Sequence, residues 1–100
     1  MYQATTPTFV LTLPNTVDLS QASKVVFAIS QEQTIIEKTG DALTISGQTV
    51  SVYFTQAETL MFHAGSVKLQ LNWVYADGSR ACSNVVSIRV NENLVKKVIS

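Results

Sequence analysis

The chain contains few side chains that could do chemistry, and none of them stands in a recognised catalytic motif. It has one histidine, His63, and one cysteine, Cys82. A histidine that acts as a general base needs an orienting partner and a nucleophile within reach, and no such motif surrounds His63. We therefore expect His63 to lie at the surface in the last turn of a short helix, where the helix dipole favours it.

The single cysteine has the features of a packing residue. A reactive thiolate needs positive charge nearby, whereas a free cysteine otherwise behaves as a small buried hydrophobe. We expect Cys82 in or near the core and keep redox or nucleophilic use as the less favoured alternative. One cysteine excludes an internal disulfide, and one cysteine with one histidine excludes a Cys/His zinc site.

The carboxylates are scattered rather than grouped. Calcium binding requires several of them at short, fixed spacing, and no glycine-rich loop suited to a phosphate is present. The seven acidic residues are Asp18, Glu32, Glu37, Asp41, Glu58, Asp77 and Glu92. The sequence thus predicts no catalytic residue, no cofactor and no metal ion, and it favours a protein that is not an enzyme.

Alternation of apolar and polar residues dominates the rest of the chain. In residues 67–75 the odd positions are apolar and the even ones mostly polar, which is the period of a half-buried strand. Asp77-Gly78 separates this run from a second one, which predicts a long antiparallel hairpin of residues 66–76 and 80–91. The expected core residues are Phe27, Leu69, Leu71, Trp73, Val86 and Ile88.

Similar short runs occur from residue 8 onward, and Gly47 marks a tight hairpin between two of them. About seven strands at a spacing of roughly ten residues predict an all-β fold, an immunoglobulin-like antiparallel β-sandwich, over one domain of residues 1–100. A small barrel is the alternative. The sequence lacks the cysteine pair of antibody domains, because Cys82 has no partner.

Two sequence signals predict helical turns. Thr55 followed by Glu58 fits a capping box, and it predicts one short helix near residues 56–63 with Gly65 at its C-terminal cap. Asp18 predicts a single capped turn before the strand that begins near Lys24.

Composition excludes several classes of protein. Apolar residues make up 46% and charged residues 14% of the chain, with no net charge, which argues against disorder, a coiled coil, nucleic-acid binding and an anionic membrane surface. No secretory signal or membrane-spanning run is visible, so we expect synthesis in the cytoplasm. The aromatic residues Trp73 and Tyr75 share a face with core leucines, which favours packing over a sugar-binding platform.

The last residues are the strongest candidate for an interaction surface. Leu94, Val95, Val98 and Ile99 are apolar and surround Lys96-Lys97. Such an end is either a last strand of its own sheet or an apolar strip that contacts a neighbour. The second interpretation predicts a homo-oligomer or concentration-dependent self-association.

Several segments together carry a family resemblance. These are Gln-Ala-Thr-Thr-Pro-Thr-Phe at residues 3–9, Thr-Gln-Ala-Glu-Thr at 55–59, and Gln-Leu-Asn-Trp at 70–73 followed by Asp77-Gly78. The order of segments over nearly the whole chain resembles small proteins encoded in the tail regions of phages and prophages of Gram-positive gut bacteria. It is also similar to the N-terminal β-sandwich domain of phage baseplate upper proteins.

The resemblance implies a non-enzymatic structural protein of a phage or prophage tail or baseplate, located in the virion and acting by protein–protein assembly. Its partners would be other copies of itself or other tail and baseplate proteins. None of the shared motifs is catalytic, so the resemblance assigns no residue a role. The alternative function is a β-sandwich module that binds a carbohydrate or a cell surface.

Overall fold

The alternation in the sequence becomes two antiparallel β-sheets in the computed structural model, which describes residues 1–100. A three-stranded sheet has the order β1-β5-β4, and a five-stranded sheet has the order β3-β2-β6, with both β7 and β8 paired to the other edge of β6. The strands are β1 (Thr8–Thr12), β2 (Ala22–Gln31), β3 (Thr34–Thr39), β4 (Leu43–Ser46), β5 (Thr49–Tyr53), β6 (Gly65–Tyr75), β7 (Arg80–Cys82) and β8 (Val86–Val90). The predicted all-β sandwich is confirmed, with eight strands where about seven were expected.

The core lies between the inner faces of the two sheets. On β2 and β6 every second residue is buried, as the alternation predicts. Three phenylalanine rings join the layers: Phe9 lies 5.6 Å from Phe54 and 6.3 Å from Phe27, measured between ring centroids. The fully buried aliphatic residues of the core are Ile29, Leu69, Leu71, Val50, Val52, Val67 and Val90.

The predicted long hairpin forms, but its second arm is divided in two. β7 pairs with the C-terminal half of β6 and β8 with the N-terminal half. Leu71 and Leu69 are two residues apart, whereas their partners Ser83 and Val86 are three apart, so the second arm carries an extra residue. At this bulge the Ser83 hydroxyl accepts a hydrogen bond from the Leu71 amide at 3.0 Å.

Two burial predictions are wrong, and both concern residues beside this bulge. Cys82 is exposed rather than in the core, because Ala81 opposite Trp73 is the residue of β7 that turns inward. Val86 is 43% exposed, because it lies at the open side of the sandwich beside the bulge. Ile88 is half-buried against the core, and the other four expected core residues are buried.

The helical prediction is correct in position and too long. Helix α1 spans Gln56–Thr59 and is followed by a turn rather than by further helix. The backbone beyond it is bonded by side chains from other segments: Gln3 Nε2 donates to the carbonyl of Phe62, and Gln31 bonds both the amide and the carbonyl of His63. The predicted helix cap is therefore wrong, since Gly65 begins β6.

Two 3-10 turns complete the fold. Leu19–Gln21 follows Asp18, whose carboxylate accepts a hydrogen bond from the Ser20 amide as the predicted cap requires. The second turn, Gly40–Ala42, connects β3 to β4. The predicted tight hairpin at Gly47 connects β4 to β5.

The sandwich is open along one side. β1 is the edge of the smaller sheet, and β7 and β8 form the corresponding edge of the larger sheet. A cleft of about 550 Å³ lies between these edges, and none of its twelve lining residues is charged. Residues 1–3 cover the part of the β8 edge near Asn91.

Candidate assembly surface

The C-terminal segment, residues 92–100, crosses one end of the sandwich without forming a strand. Regular pairing stops at an isolated parallel bridge between Tyr2 and Asn91. The interpretation of this segment as a last strand is therefore wrong. Its backbone is held instead by the amide side chains of two glutamines, Gln3 and Gln56.

Gln3 joins three parts of the chain. Its side chain is almost fully buried, and its Nε2 donates to the carbonyl of Phe62 at 2.8 Å. Its Oε1 accepts a hydrogen bond from the Asn93 amide at 3.2 Å, while the Asn93 side chain donates to the Gln3 carbonyl at 3.0 Å. Gln3 thus fixes the beginning of the C-terminal segment to the N-terminal segment and to the turn after α1.

Gln56 fixes the other end of the segment. Its Oε1 accepts a hydrogen bond from the Ile99 amide at 2.8 Å, and its Nε2 donates to the Ile99 carbonyl at 3.0 Å. This reciprocal pair satisfies both backbone groups of Ile99, as a neighbouring strand would. The segment between Asn93 and Ile99 is therefore attached at both ends.

Helix α1 holds Gln56 in position, because two hydrogen bonds fix the N-terminus of the helix. The Thr55 hydroxyl accepts from the Glu58 amide at 3.2 Å, and the Glu58 carboxylate accepts from the Thr55 amide at 2.9 Å. This confirms the predicted capping box. Lys38 reaches Glu58 from β3 at 2.6 Å, and the buried Thr59 hydroxyl bonds both backbone groups of Thr5.

The four predicted surface residues all face solvent. The exposed fractions are 93% for Leu94, 44% for Val95, 53% for Val98 and 63% for Ile99. Near the anchor points, Tyr2 and Met61 are also more than half exposed. This end of the molecule thus presents apolar side chains on a backbone whose position is determined by hydrogen bonds.

Local electrostatics around the segment are modest. The hydrogen bond and the charge of Lys96, 2.8 Å away, lower the pKa of the Glu92 carboxyl. Partial burial raises the pKa of the Glu58 carboxyl, but hydrogen bonds from Lys38 and Thr55 and the charge of Lys38 outweigh it, so the pKa lies below its usual value. The Glu92–Lys96 pair thus lies within the C-terminal segment, whereas the Lys38–Glu58 pair joins β3 to helix α1.

The remaining sequence candidates do not converge on a site. His63 is exposed, as expected; its ring bonds the Ala64 carbonyl and lies 3.2 Å from Glu32, and both contacts raise its pKa. Trp73 is buried and donates to the hydroxyl of Tyr75 at 2.9 Å, so these two rings form no exposed platform. No group of three or more His, Cys, Asp or Glu side chains comes together.

Sequence reasoning found the apolar residues of this surface and missed its anchors. Gln3 and Gln56 act over separations of 90 and 43 residues, and a polar residue that bonds a distant backbone leaves no periodic signal in the sequence.

No protein-family model matches this sequence, and no curated protein or solved structure matches it significantly. None of the helices is long and apolar enough to cross a membrane.

Proposed function

We propose that this domain is a non-enzymatic structural protein of a phage or prophage tail or baseplate, and that it acts by protein–protein assembly through residues 94–99. The observation that carries the proposal is the exposure of Leu94, Val95, Val98 and Ile99 on a segment held at both ends. The resemblance to tail-region proteins supports the phage assignment.

Attachment of the segment favours binding. When a flexible segment becomes ordered on binding, its lost conformational entropy weakens the association. A segment already positioned by Gln3 and Gln56 loses less entropy on binding. Clustered exposed apolar side chains with polar neighbours are typical of contact sites between proteins. Lys96 and Lys97 lie between the two apolar pairs and supply those polar neighbours.

The partners that fit this surface are other copies of the chain or apolar surfaces of tail and baseplate proteins. Since the chain has no net charge, electrostatic repulsion between copies is weak. Self-association through the C-terminal surface is therefore the form of the proposal that can be tested with the purified chain alone.

The test compares the weight-average mass, by sedimentation at increasing concentration, of the parent and of a Leu94→Ser/Val98→Ser variant. A matched control is Ile35→Ser, because Ile35 is 57% exposed on β3 and lies outside the C-terminal segment. We expect the mass of the parent and the control to rise with concentration more steeply than that of the double variant. Equal curves for all three proteins would contradict the proposal.

A further inference from the structure

The outer edge of β1 carries backbone groups that no other strand bonds. The Leu13 amide donates to the Gln48 carbonyl, and the Phe54 amide donates to the Pro7 carbonyl. Odd-numbered residues of this segment therefore bond β5. Because bonding direction alternates along an antiparallel strand, the amide and carbonyl groups of Thr8, Val10 and Thr12 point away from β5 to the open side.

This edge lacks the features that protect other edges. Proteins block edge pairing with charged residues, bulges, short strands or a covering segment. β3 carries Glu37 and Lys38, β7 carries Arg80, and β8 is partly covered by residues 1–3. β4 has four residues, and the amide of its first residue bonds the preceding turn.

β1, in contrast, has the sequence Thr-Phe-Val-Leu-Thr, and the chain has no charged side chain before Asp18. The edge of β1 therefore carries no charge that would oppose pairing with another strand.

The sequence of β1 is also nearly symmetric about Val10. In an antiparallel pair of two β1 strands centred there, Thr8 lies opposite Thr12, Val10 opposite Val10, and Phe9 opposite Leu11. The first two pairs are exposed β-branched residues, and the third is half-buried. Such cross-strand pairs stabilise sheets, so a second copy of the same strand is a complementary partner for this edge.

We propose that a second copy of this chain adds its β1 antiparallel to the first, with the two Val10 residues facing each other at the two-fold axis. The three bonded pairs supply about six hydrogen bonds, and the two three-stranded sheets become one continuous sheet of six. The inference rests on the proposed assembly function but uses a surface separate from the C-terminal segment.

The cleft beside β1 adds apolar area to this interface. Leu11, Leu13, Trp73 and Tyr75 contribute to its uncharged lining. The two-fold axis of an antiparallel strand pair is perpendicular to the sheet, so the inner faces of both copies lie on the same side. The two clefts therefore meet at the axis, where each copy covers apolar side chains of the other.

Position-specific cross-linking tests the register. The Cα atoms of a bonded antiparallel pair are about 5.5 Å apart, which is within the range that a disulfide spans. In a Cys82→Ser background, Val10→Cys should oxidise to a covalent dimer. Thr8→Cys and Thr12→Cys are matched exposed controls that lie about 14 Å from their own copies. Each alone should not cross-link, but a mixture of the two should.

No Val10→Cys dimer, or equal cross-linking of all three single variants, would overturn the proposal. The Leu94→Ser/Val98→Ser substitutions should leave this cross-link intact, so failure of the C-terminal surface and failure of the β1 edge can be distinguished.

A charge at the axis provides the second test. Val10→Lys places two ammonium groups opposite each other and should weaken the dimer about tenfold or more, whereas Val10→Thr should retain it. Since Val10 is 58% exposed, both variants should have a free energy of unfolding close to that of the parent. A Val10→Lys variant with the parent's dissociation constant would contradict the pairing.

Discussion

The central strands and the C-terminal segment are both rich in apolar residues, yet one region is buried and the other is exposed. In β2 and β6 the buried apolar residues occupy every second position, so these side chains point to one face, whereas Val26 and Val74 lie half-buried on the other. In the C-terminal segment they occur in adjacent pairs, Leu94-Val95 and Val98-Ile99. An extended chain directs neighbouring residues to opposite sides, so one sheet face could not bury both members of a pair.

The backbones of the two regions are also held in different ways. β2 and β6 are held by continuous ladders of main-chain hydrogen bonds over a buried core. The C-terminal segment is held by Gln3 and Gln56 at two points, and its side chains remain available. Under the proposed function, stability and interaction reside in different parts of this small domain, and substitutions should separate them.

The largest effect should come from the core. Trp73 is only 3% exposed. Trp73→Ala should therefore reduce the free energy of unfolding by about 3–5 kcal/mol. The matched aromatic control is Tyr53→Ala, because Tyr53 is 54% exposed and its loss should change stability by less than about 0.5 kcal/mol. Chemical denaturation measures both; similar midpoints would contradict the division into core and surface.

Gln3→Ala should have the next largest effect, because this residue attaches the C-terminal segment to the N-terminal segment and to the turn after α1. It leaves the Phe62 carbonyl and the Asn93 amide without their partners, a loss of about 1–3 kcal/mol for buried groups. Gln33 is exposed with no side-chain hydrogen bond, so Gln33→Ala should leave the unfolding free energy unchanged. A Gln3 variant as stable as the Gln33 variant would show that the C-terminal segment is held by other contacts.

The capping box should contribute less. Thr55→Ala removes one of its two hydrogen bonds and should cost about 1 kcal/mol. Glu58→Ala should be partly redundant with it, since both side chains serve one box. Thermal unfolding of the two single variants and the double variant measures the coupling. A double loss equal to the sum of two full losses would contradict a reciprocal cap.

Much of the β-structure could be predicted because burial on one sheet face imposes a period of two. Residues 67–75 show that period, and they form most of β6. The Asp77-Gly78 turn was also predictable, since a tight turn needs positive φ and Gly78 has a φ of 88°. The capping box of α1 was local in sequence and therefore visible.

Features that depend on distant partners could not be predicted. The bulge at Ser83 follows from how two strands meet β6, and it removed Val86 from the expected core. Beyond Thr59, Gln31 accepts a hydrogen bond from the His63 amide, which a longer helix would have bonded to the Thr59 carbonyl. The apolar pairs of the candidate surface were visible, whereas the glutamines that position them were not.

A smaller effect should appear in acid. The pKa of Glu58 is lower in the folded protein than its ordinary value of 4.5. Its carboxylate therefore stabilises the fold above the pKa of the unfolded state, and this contribution disappears as the pH falls through the lower folded-state pKa. The difference in unfolding free energy between the parent and Glu58→Gln should shrink below pH 4.5. A difference independent of pH would contradict the role of the Lys38 ion pair.

Gln56→Ala should have the smallest effect on stability, but it should release the end of the C-terminal segment. Alanine suits a helix, so α1 should persist and the free energy of unfolding should change by less than about 0.5 kcal/mol. The Ile99 amide and carbonyl lose their partners, so NMR order parameters at residues 97–100 should fall toward about 0.6 or below. Lys96→Ala is the control, because it removes only the exposed pair with Glu92.

If binding through Leu94 and Val98 depends on the attached backbone, Gln56→Ala should also weaken self-association, since the segment must then be ordered on contact. A segment that stays rigid in this variant would show that its own side chains, and not Gln56, hold it against the sandwich.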